Sequence, residues 1–204
     1  DTTKTYIKGF IKTYKPIFDT TEKIYSDFSV YENEIKSGIQ FLKFYFPKVK
    51  VPEKIITYVG PLDGYGDILS DEAFIIGLHH HLGANASYYQ NTWFNETYPA
   101  YISRRFVPNT ISVNCMTNMV LDLFPEKTAY ATLANQMIEK GKRLFLLSKI
   151  LPYKEEYWLI GYTKEQLEDC LRSASSSTRI STSSNTSTLR DARSSRRSTV
   201  ATST

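Results

Sequence analysis

The sequence predicts an α+β domain followed by a disordered tail, and two observations lead to this fold class. A long helical pattern comes first, two strand-like segments follow, and a run of helical patterns ends the domain, so the order differs from a repeating strand–helix–strand unit. The composition then changes abruptly near residue 170. We therefore divide the chain into a domain, residues 1–170, and a tail, residues 171–204.

The first element is an N-terminal helix, predicted at residues 20–46. Its apolar residues recur at three- and four-residue intervals and therefore share one face of a helix. These residues are Ile24, Phe28, Tyr31, Ile35, Ile39, Leu42 and Tyr45. Pro47 and Pro52 then end the pattern.

A small β-sheet is predicted next. Residues 54–60, KIITYVG, are rich in β-branched and aromatic side chains and predict a strand. Residues 61–67, PLDGYGD, contain two glycines and two aspartates and predict a turn or hairpin loop. The continuous apolar run at 73–78 predicts a central strand that is buried on both faces. Residues 83–108 are rich in aromatic side chains and irregular in pattern.

Three helices are predicted in the C-terminal part of the domain. The first covers residues 110–123 and the second covers 128–151, and a proline follows each of them. Thr163 begins the third helix, because Thr-Lys-Glu-Gln is a capping box with Gln166 three residues after the cap.

The tail, residues 171–204, has a different composition. Serine and threonine make up 19 of its 34 residues and none is aromatic, so it cannot bury enough apolar surface to offset its ordering entropy. The domain contains 16 lysines and 3 arginines, whereas the tail contains six arginines and no lysine. This change suggests a frameshift product or foreign sequence. A nucleic-acid-binding tail is disfavoured, because the arginines are not interleaved with aromatic residues.

Charge and cysteine content exclude several classes of protein. Residues 1–170 contain 19 basic and 20 acidic side chains, so the domain is near neutral and no nucleic-acid partner is predicted. No segment has the length of a transmembrane helix. Cys115 and Cys170 are too far apart for a zinc-ribbon spacing and too few for a disulfide framework.

All three histidines lie in the stretch FIIGLHHHLG, residues 74–83. On a strand His79 and His81 would share one face and could bind a metal ion, but zinc needs three or four ligands. An acidic residue such as Glu139 would have to complete the site. On a helix the three rings would fan outward. The other interpretation is a strand end with hydrogen-bonded imidazoles.

Catalytic motifs are missing. A zincin helix carries His-Glu-x-x-His, but the helix at 110–123 has Asn114, Cys115 and Asn118 where this motif would fall. Amides are poor zinc ligands, and Cys115 cannot replace the glutamate as general base. The chain also has no Gly-x-Ser-x-Gly elbow, P-loop or dinucleotide fingerprint. We therefore predict no catalytic residue and no cofactor, and any zincin-like scaffold here would be degenerate.

Two further groups of residues are candidates for contacts. Tyr101, Arg104 and Arg105 lie in YISRRF and could contact a partner or ligand, although a structural ion pair is an equal alternative for an arginine. The other group surrounds the turn before the second strand, and it consists of Asp63, Asp67, Asp71 and Glu72. The spacing differs from an EF-hand, so a solvated acidic loop is the favoured interpretation.

Five segments follow one another along the chain: VPEKIITYVG, AFIIGLHHHLG, YPAYISRRFVPNTI, NQMIEKGKRLFLLSKILP and IGYTKEQLEDC. In their sequences and their order, the chain resembles the gliding motility-associated lipoprotein GldB family of Bacteroidetes. The resemblance covers roughly residues 20 to 170 and stops at the tail, which implies a domain that is truncated at its C-terminus. It implies a lipoprotein of the cell envelope that faces the periplasm and is held by a lipid anchor upstream of this chain. It also implies a link to gliding and the associated secretion machinery, with other envelope proteins as partners, and a distant relation to zincin-like peptidases.

The leading hypothesis is therefore a non-catalytic envelope protein that acts through protein–protein contacts. The alternative is a zinc-dependent peptidase or hydrolase that uses His79 and His81. A third possibility is a glycan- or peptide-binding domain that uses the aromatic stretch 88–101.

Overall fold

A computed structural model of the chain describes residues 2–64, 66–90, 92–126 and 132–175. Its helices and strands are segregated along the chain as the α+β class predicts, with helices at both ends and a small sheet between them. In chain order they are α1 (Thr2–Ile24), α2 (Ser29–Tyr45), β1 (Lys54–Tyr58), β2 (Ile68–Leu69), β3 (Ala73–Gly77), α3 (Thr92–Thr97), α4 (Ala100–Ser103), α5 (Ile111–Leu123), α6 (Leu133–Ile150), α7 (Glu156–Ile160) and α8 (164–175). Residues 1–161 form one compact unit, and α8 belongs to a second unit. None of the described helices is long and apolar enough to cross a membrane.

The single helix predicted at 20–46 is wrong, because the chain breaks between α1 and α2. Asp27 Oδ1 accepts a hydrogen bond from the backbone N of Ser29 at 2.9 Å, and this local bond competes with helix continuation. Tyr25, Phe28 and Tyr31 still pack together across the break, with ring centroids 5.3 to 5.9 Å apart. The apolar periodicity therefore continues although the helix does not.

The sheet has three strands in the order β1-β3-β2. β1 pairs with β3 in parallel, with Ile56 opposite Ile75, and β2 pairs with β3 in the antiparallel direction. The prediction of a central buried strand at 73–78 is confirmed by β3, which lies between the other two strands and is buried along most of its length. Among the described residues between β1 and β2, Gly64 N donates to the carbonyl of Pro61 at 2.9 Å and closes a turn, and the two strands do not pair with each other.

The main core lies where β3 packs against α2, α5 and α6. Ile35, Ile76 and Met116 have no exposed surface there. A Cβ at Gly38 of α2 would lie 3.0 Å from Met116 Cγ and 3.2 Å from Leu151, so a glycine allows the close approach of α2 to α5. A smaller aromatic cluster packs around Tyr89 and includes Ile17 of α1.

The C-terminal helices agree with the sequence pattern where the structure describes them. The predicted start of the second helix at 128 lies outside the described residues, and α6 is described from Leu133. The capping box is confirmed, because Gln166 N donates to Thr163 Oγ1 at 3.2 Å and Thr163 N donates to Gln166 Oε1 at 3.0 Å. α8 continues through residue 175, so the boundary placed at 170 lies inside a helix. Residues 176–204 lie outside the described part of the chain.

Candidate functional site

The three histidines leave the sheet together at the end of β3. Leu78–His80 forms a turn of 3-10 helix directly after the strand, and successive residues of such a helix are rotated by about 120°. His81 follows this turn, the ring centroids of His79 and His80 lie 4.4 Å apart, and all three imidazoles are buried rather than fanned outward as expected for a helix. The strand geometry, in which His79 and His81 would share one face, is wrong.

Asp67 and His81 form the centre of the site. Asp67 Oδ2 and Oδ1 lie 2.9 and 3.1 Å from His81 Nε2, and only 6% and 1% of the two side chains are exposed. The carboxylate also accepts hydrogen bonds from Asn114 Nδ2 at 2.8 Å and from the backbone N of Gly77 at 3.2 Å. Asn118 Nδ2 donates to the backbone carbonyl of Asp67 at 3.2 Å. Asp67 therefore connects the loop before β2 to β3, to α5 and to the histidine turn.

The surroundings of the Asp67 carboxyl favour its ionised form. Burial alone raises the pKa of the Asp67 carboxyl, but the hydrogen bond and charge of His81, with the amide donors, outweigh burial and hold that pKa below its usual value. His81 Nδ1 faces the carbonyl of Val107 at 3.2 Å and Thr110 Oγ1 at 3.3 Å. The Thr110 hydroxyl donates to backbone carbonyls, so its oxygen is an acceptor toward the ring. Both ring nitrogens of His81 therefore face oxygen atoms.

His79 and His80 are held in their neutral forms. His79 Nδ1 accepts a hydrogen bond from the backbone N of Gly60 at 3.1 Å, which places the ring proton on Nε2. That Nε2 is buried without a hydrogen-bond partner among the residues the structure describes. Burial, followed by the proximity of the other two imidazoles, lowers the pKa of His79 to about 4. His80 Nε2 donates to the carbonyl of Leu62 at 3.0 Å, and burial lowers its pKa as well.

The partly buried Tyr25 and the buried Tyr89 fix the backbone of the histidine turn. Tyr25 donates to the carbonyl of His81 at 2.6 Å. Tyr89 donates to the carbonyl of His79 at 2.6 Å and accepts from the backbone N of Leu82 at 3.1 Å. Burial raises the pKa of both phenols, so they remain protonated donors.

The residues considered as metal ligands are not brought together. Glu139 lies on the surface of α6, where it pairs with Lys142 at 2.7 Å. Asn114 and Asn118, one turn apart on α5, both bind Asp67. Within the described ranges, no group of three or more His, Cys, Asp or Glu side chains is arranged to hold a metal ion. Cys115 is buried in the core, and burial raises the pKa of its thiol.

An open cleft of about 790 Å³ borders the site on one side. Asp67 and Asn118 lie in its wall, together with β2 and Asp122. His81 is not among the lining residues, because the Asp67 carboxylate lies between its Nε2 and this wall. The prediction of a solvated acidic loop holds for the exposed residues Asp63, Asp71 and Glu72 but is wrong for Asp67.

The arginine pair lies against the end of α7. Arg104 donates to the carbonyl of Gly161 at 3.1 Å, and a Cβ at Gly161 would come within 2.8 Å of Arg105 Nη1. Neither arginine pairs with a carboxylate of the described chain. Burial, with the nearby Arg104 charge, lowers the pKa of Arg105. Tyr101 is 64% exposed, and its contact with a partner stays a prediction.

Sequence reasoning missed the central role of Asp67 and the supporting Tyr25, Tyr89 and Thr110. One signal for the site was present. Asn114 and Asn118 stand four residues apart on an otherwise apolar helix, so two amides share one face and need a polar partner. The pattern could not identify that partner, since Asp67 lies 47 residues before Asn114.

The comparisons with known proteins give one match. The family model described as gliding motility protein GldB, whose short name designates a lipoprotein, matches residues 1–176. No curated protein and no solved structure matches the chain significantly. The resemblance carried by the sequence motifs is thereby confirmed over most of the 204 residues, and the chain belongs to the family of gliding motility protein GldB.

Proposed function

We propose that this chain is the non-catalytic domain of an envelope lipoprotein, which supports gliding motility and the associated protein secretion machinery through contacts with other envelope proteins. The role in gliding motility rests on the family to which the chain belongs. The observation that carries the non-catalytic role is the network of Asp67, His81, Asn114 and Asn118, in which the polar groups are engaged with one another.

Three features of the domain argue against a catalytic role. A general base must come within hydrogen-bond reach of its substrate, but His81 is 1% exposed and both of its nitrogens already have partners. A nucleophilic cysteine needs an accessible thiolate, whereas Cys115 is buried and protonated. The peptidase alternative needs a third ligand for His79 and His81, and Glu139 is paired elsewhere on the surface.

The near-neutral charge of residues 1–170 favours a protein partner over a nucleic acid. Tyr101 is the exposed side chain that we assign to this contact, because an exposed aromatic ring can bury a large area at little cost in side-chain entropy. The lipoprotein name supports a lipid anchor upstream of this chain and a position at the envelope, where we expect the domain to face the periplasm.

The first test separates catalysis from structure. A strain that lacks the gene is complemented with wild type, Glu139→Gln, His79→Gln or Cys115→Ser, and colony spreading, secreted protein and envelope abundance are measured. We expect every variant that accumulates at the wild-type level to restore spreading and secretion. Loss of spreading at normal abundance would show a chemical role and contradict the proposal, as would unimpaired spreading and secretion in the deletion strain itself.

The second test addresses the partner contact. Tyr101→Ala is compared with Tyr45→Ala, which removes another exposed tyrosine of the same domain. We expect the Tyr101 variant to spread less while its abundance and melting temperature stay unchanged, and the Tyr45 variant to behave as wild type. Equal spreading of both variants would show that Tyr101 does not take part in the contact.

A further inference from the structure

The N-terminal half of α1 is an amphipathic surface that the rest of the described structure leaves uncovered. The buried residues of α1 are Ile17 and Thr21, and both follow Pro16. Before Pro16 the side chains are exposed, apart from Phe10 and Tyr14, which are partly buried and stack on each other at 4.4 Å. The helix therefore has a docked half and a free half.

The free half continues the apolar face of the docked half. At about 100° per residue, the side chains of Tyr6, Ile7, Phe10 and Ile11 fall on the same arc, roughly 140° wide, as Ile17. Tyr6, Ile7 and Ile11 are 78%, 49% and 53% exposed. An uncovered apolar arc of this width on a helix indicates an interaction surface.

Lysines occupy the neighbouring arc. Lys4, Lys8, Lys12 and Lys15 recur at three- and four-residue intervals and cover about 80° beside the apolar residues. Residues 2–18 contain these four basic residues and no acidic one, although residues 1–170 as a whole are near neutral. Of these four lysines, only Lys15 forms an ion pair within the described part of the chain, and its partner is Asp19. Three adjacent positive charges therefore remain without a counter-charge.

We infer that α1 binds the surface of an anionic phospholipid bilayer, with its apolar arc in the headgroup region and its lysines against the phosphates. A helix with one apolar face and a neighbouring lysine stripe has the pattern of an interfacial helix. The uncompensated positive charge selects a negatively charged partner, and the short apolar half-helix suits shallow insertion. This surface is separate from a lipid anchor and would add a second membrane contact to it. The inference does not depend on the proposed role in motility.

The test uses the full chain and vesicle flotation. Vesicles of phosphatidylglycerol mixed with phosphatidylcholine are compared with vesicles of phosphatidylcholine alone. We expect flotation with the anionic vesicles, and its loss at high salt. The triple variant K4Q/K8Q/K12Q should bind about a hundredfold more weakly, since each lysine near an anionic surface contributes about 1 kcal/mol. I7S/I11S should also lose binding, because it removes the inserted side chains.

The matched control is K43Q/K48Q/K140Q, which removes three exposed lysines elsewhere and should float as wild type does. All substituted side chains are exposed, and an unchanged melting temperature verifies folding. The inference is overturned if wild type fails to float, if it binds neutral vesicles equally, or if the control triple loses as much binding as the α1 triple. Sedimentation that shows a dimer dissociated by I7S/I11S would assign the surface to a second copy and also overturn it.

Discussion

Replacing Asp67 by asparagine tests whether the buried network holds the fold together. The side chain keeps its size but loses its charge and one acceptor oxygen. One amide oxygen must then replace two carboxylate oxygens toward His81 Nε2, Asn114 Nδ2 and the backbone N of Gly77. The hydrogen bonds that remain are no longer made to a charged group.

The expected loss of stability is large for a single isosteric substitution. Hydrogen bonds to a buried charged group contribute about 1.5–3 kcal/mol, so we expect the free energy of unfolding to fall by about 3 kcal/mol. For a domain of this size each kcal/mol lowers the melting temperature by about 2–4 °C, so the expected decrease is about 6–12 °C. Asp71→Asn is the control, since Asp71 is an exposed carboxylate of the same region and its loss should change stability by less than about 0.5 kcal/mol.

The assay is urea unfolding at neutral pH, followed by circular dichroism. A double-mutant cycle with His81→Gln isolates the coupling, which should reach at least about 1 kcal/mol for two side chains in direct contact. A D67N protein within about 1 kcal/mol of wild type, or strictly additive effects in the cycle, would refute the assignment of Asp67 and His81 as the structural centre of the domain.

Three further predictions concern His79, Gly38 and Tyr89. Lowering the pH from about 6.5 to 4 should reduce the free energy of unfolding by about 3 kcal/mol, because the unfolded chain protonates His79 while the folded chain, with a pKa of about 4, does not. Urea titrations whose midpoints stay constant between pH 7 and 4 would contradict the prediction for His79. The lowered pKa of Asp67 extends the loss of stability below about pH 4. Gly38→Ala should be about 1–3 kcal/mol less stable than Gly141→Ala, because the first methyl group meets the core at 3.0 Å and the second meets no atom within 4 Å. Equal melting temperatures would disprove the close approach. Tyr89→Phe should cost about 1–3 kcal/mol in thermal unfolding, since its hydroxyl bridges two buried backbone groups, and a neutral effect would show that those groups find other partners.

Local patterns predicted the elements whose signals lie within a few residues. The capping box of Thr163, the central strand at 73–78 and the helix near 110–123 each depend on neighbours in sequence, and each is present. The helix at 20–46 failed because one hydrogen bond from Asp27 competes with an apolar periodicity that continues across it. A hydrophobic pattern reports which face is buried, and it does not report whether the backbone is continuous.

The site was less predictable for a physical reason. The burial of Asp67 depends on α5, whose amides are 47 and 51 residues away, and no pattern within the loop distinguishes Asp67 from the exposed Asp71. The direction of the three imidazoles depends on whether the strand ends at Gly77 or continues. Both interpretations were compatible with the sequence, and they differ by one turn of 3-10 helix.

The distances along the chain within this network also have a kinetic consequence. His81 lies 14 residues from Asp67, and Asn118 lies 51 residues from it, so loop closure must precede these hydrogen bonds. We expect them to form after the folding transition state and to act mainly on the rate of unfolding. The Asp67 contacts would then set the lifetime of the native state more than the speed with which it forms. Resistance to occasional opening of the native state is the form of stability that this arrangement supplies.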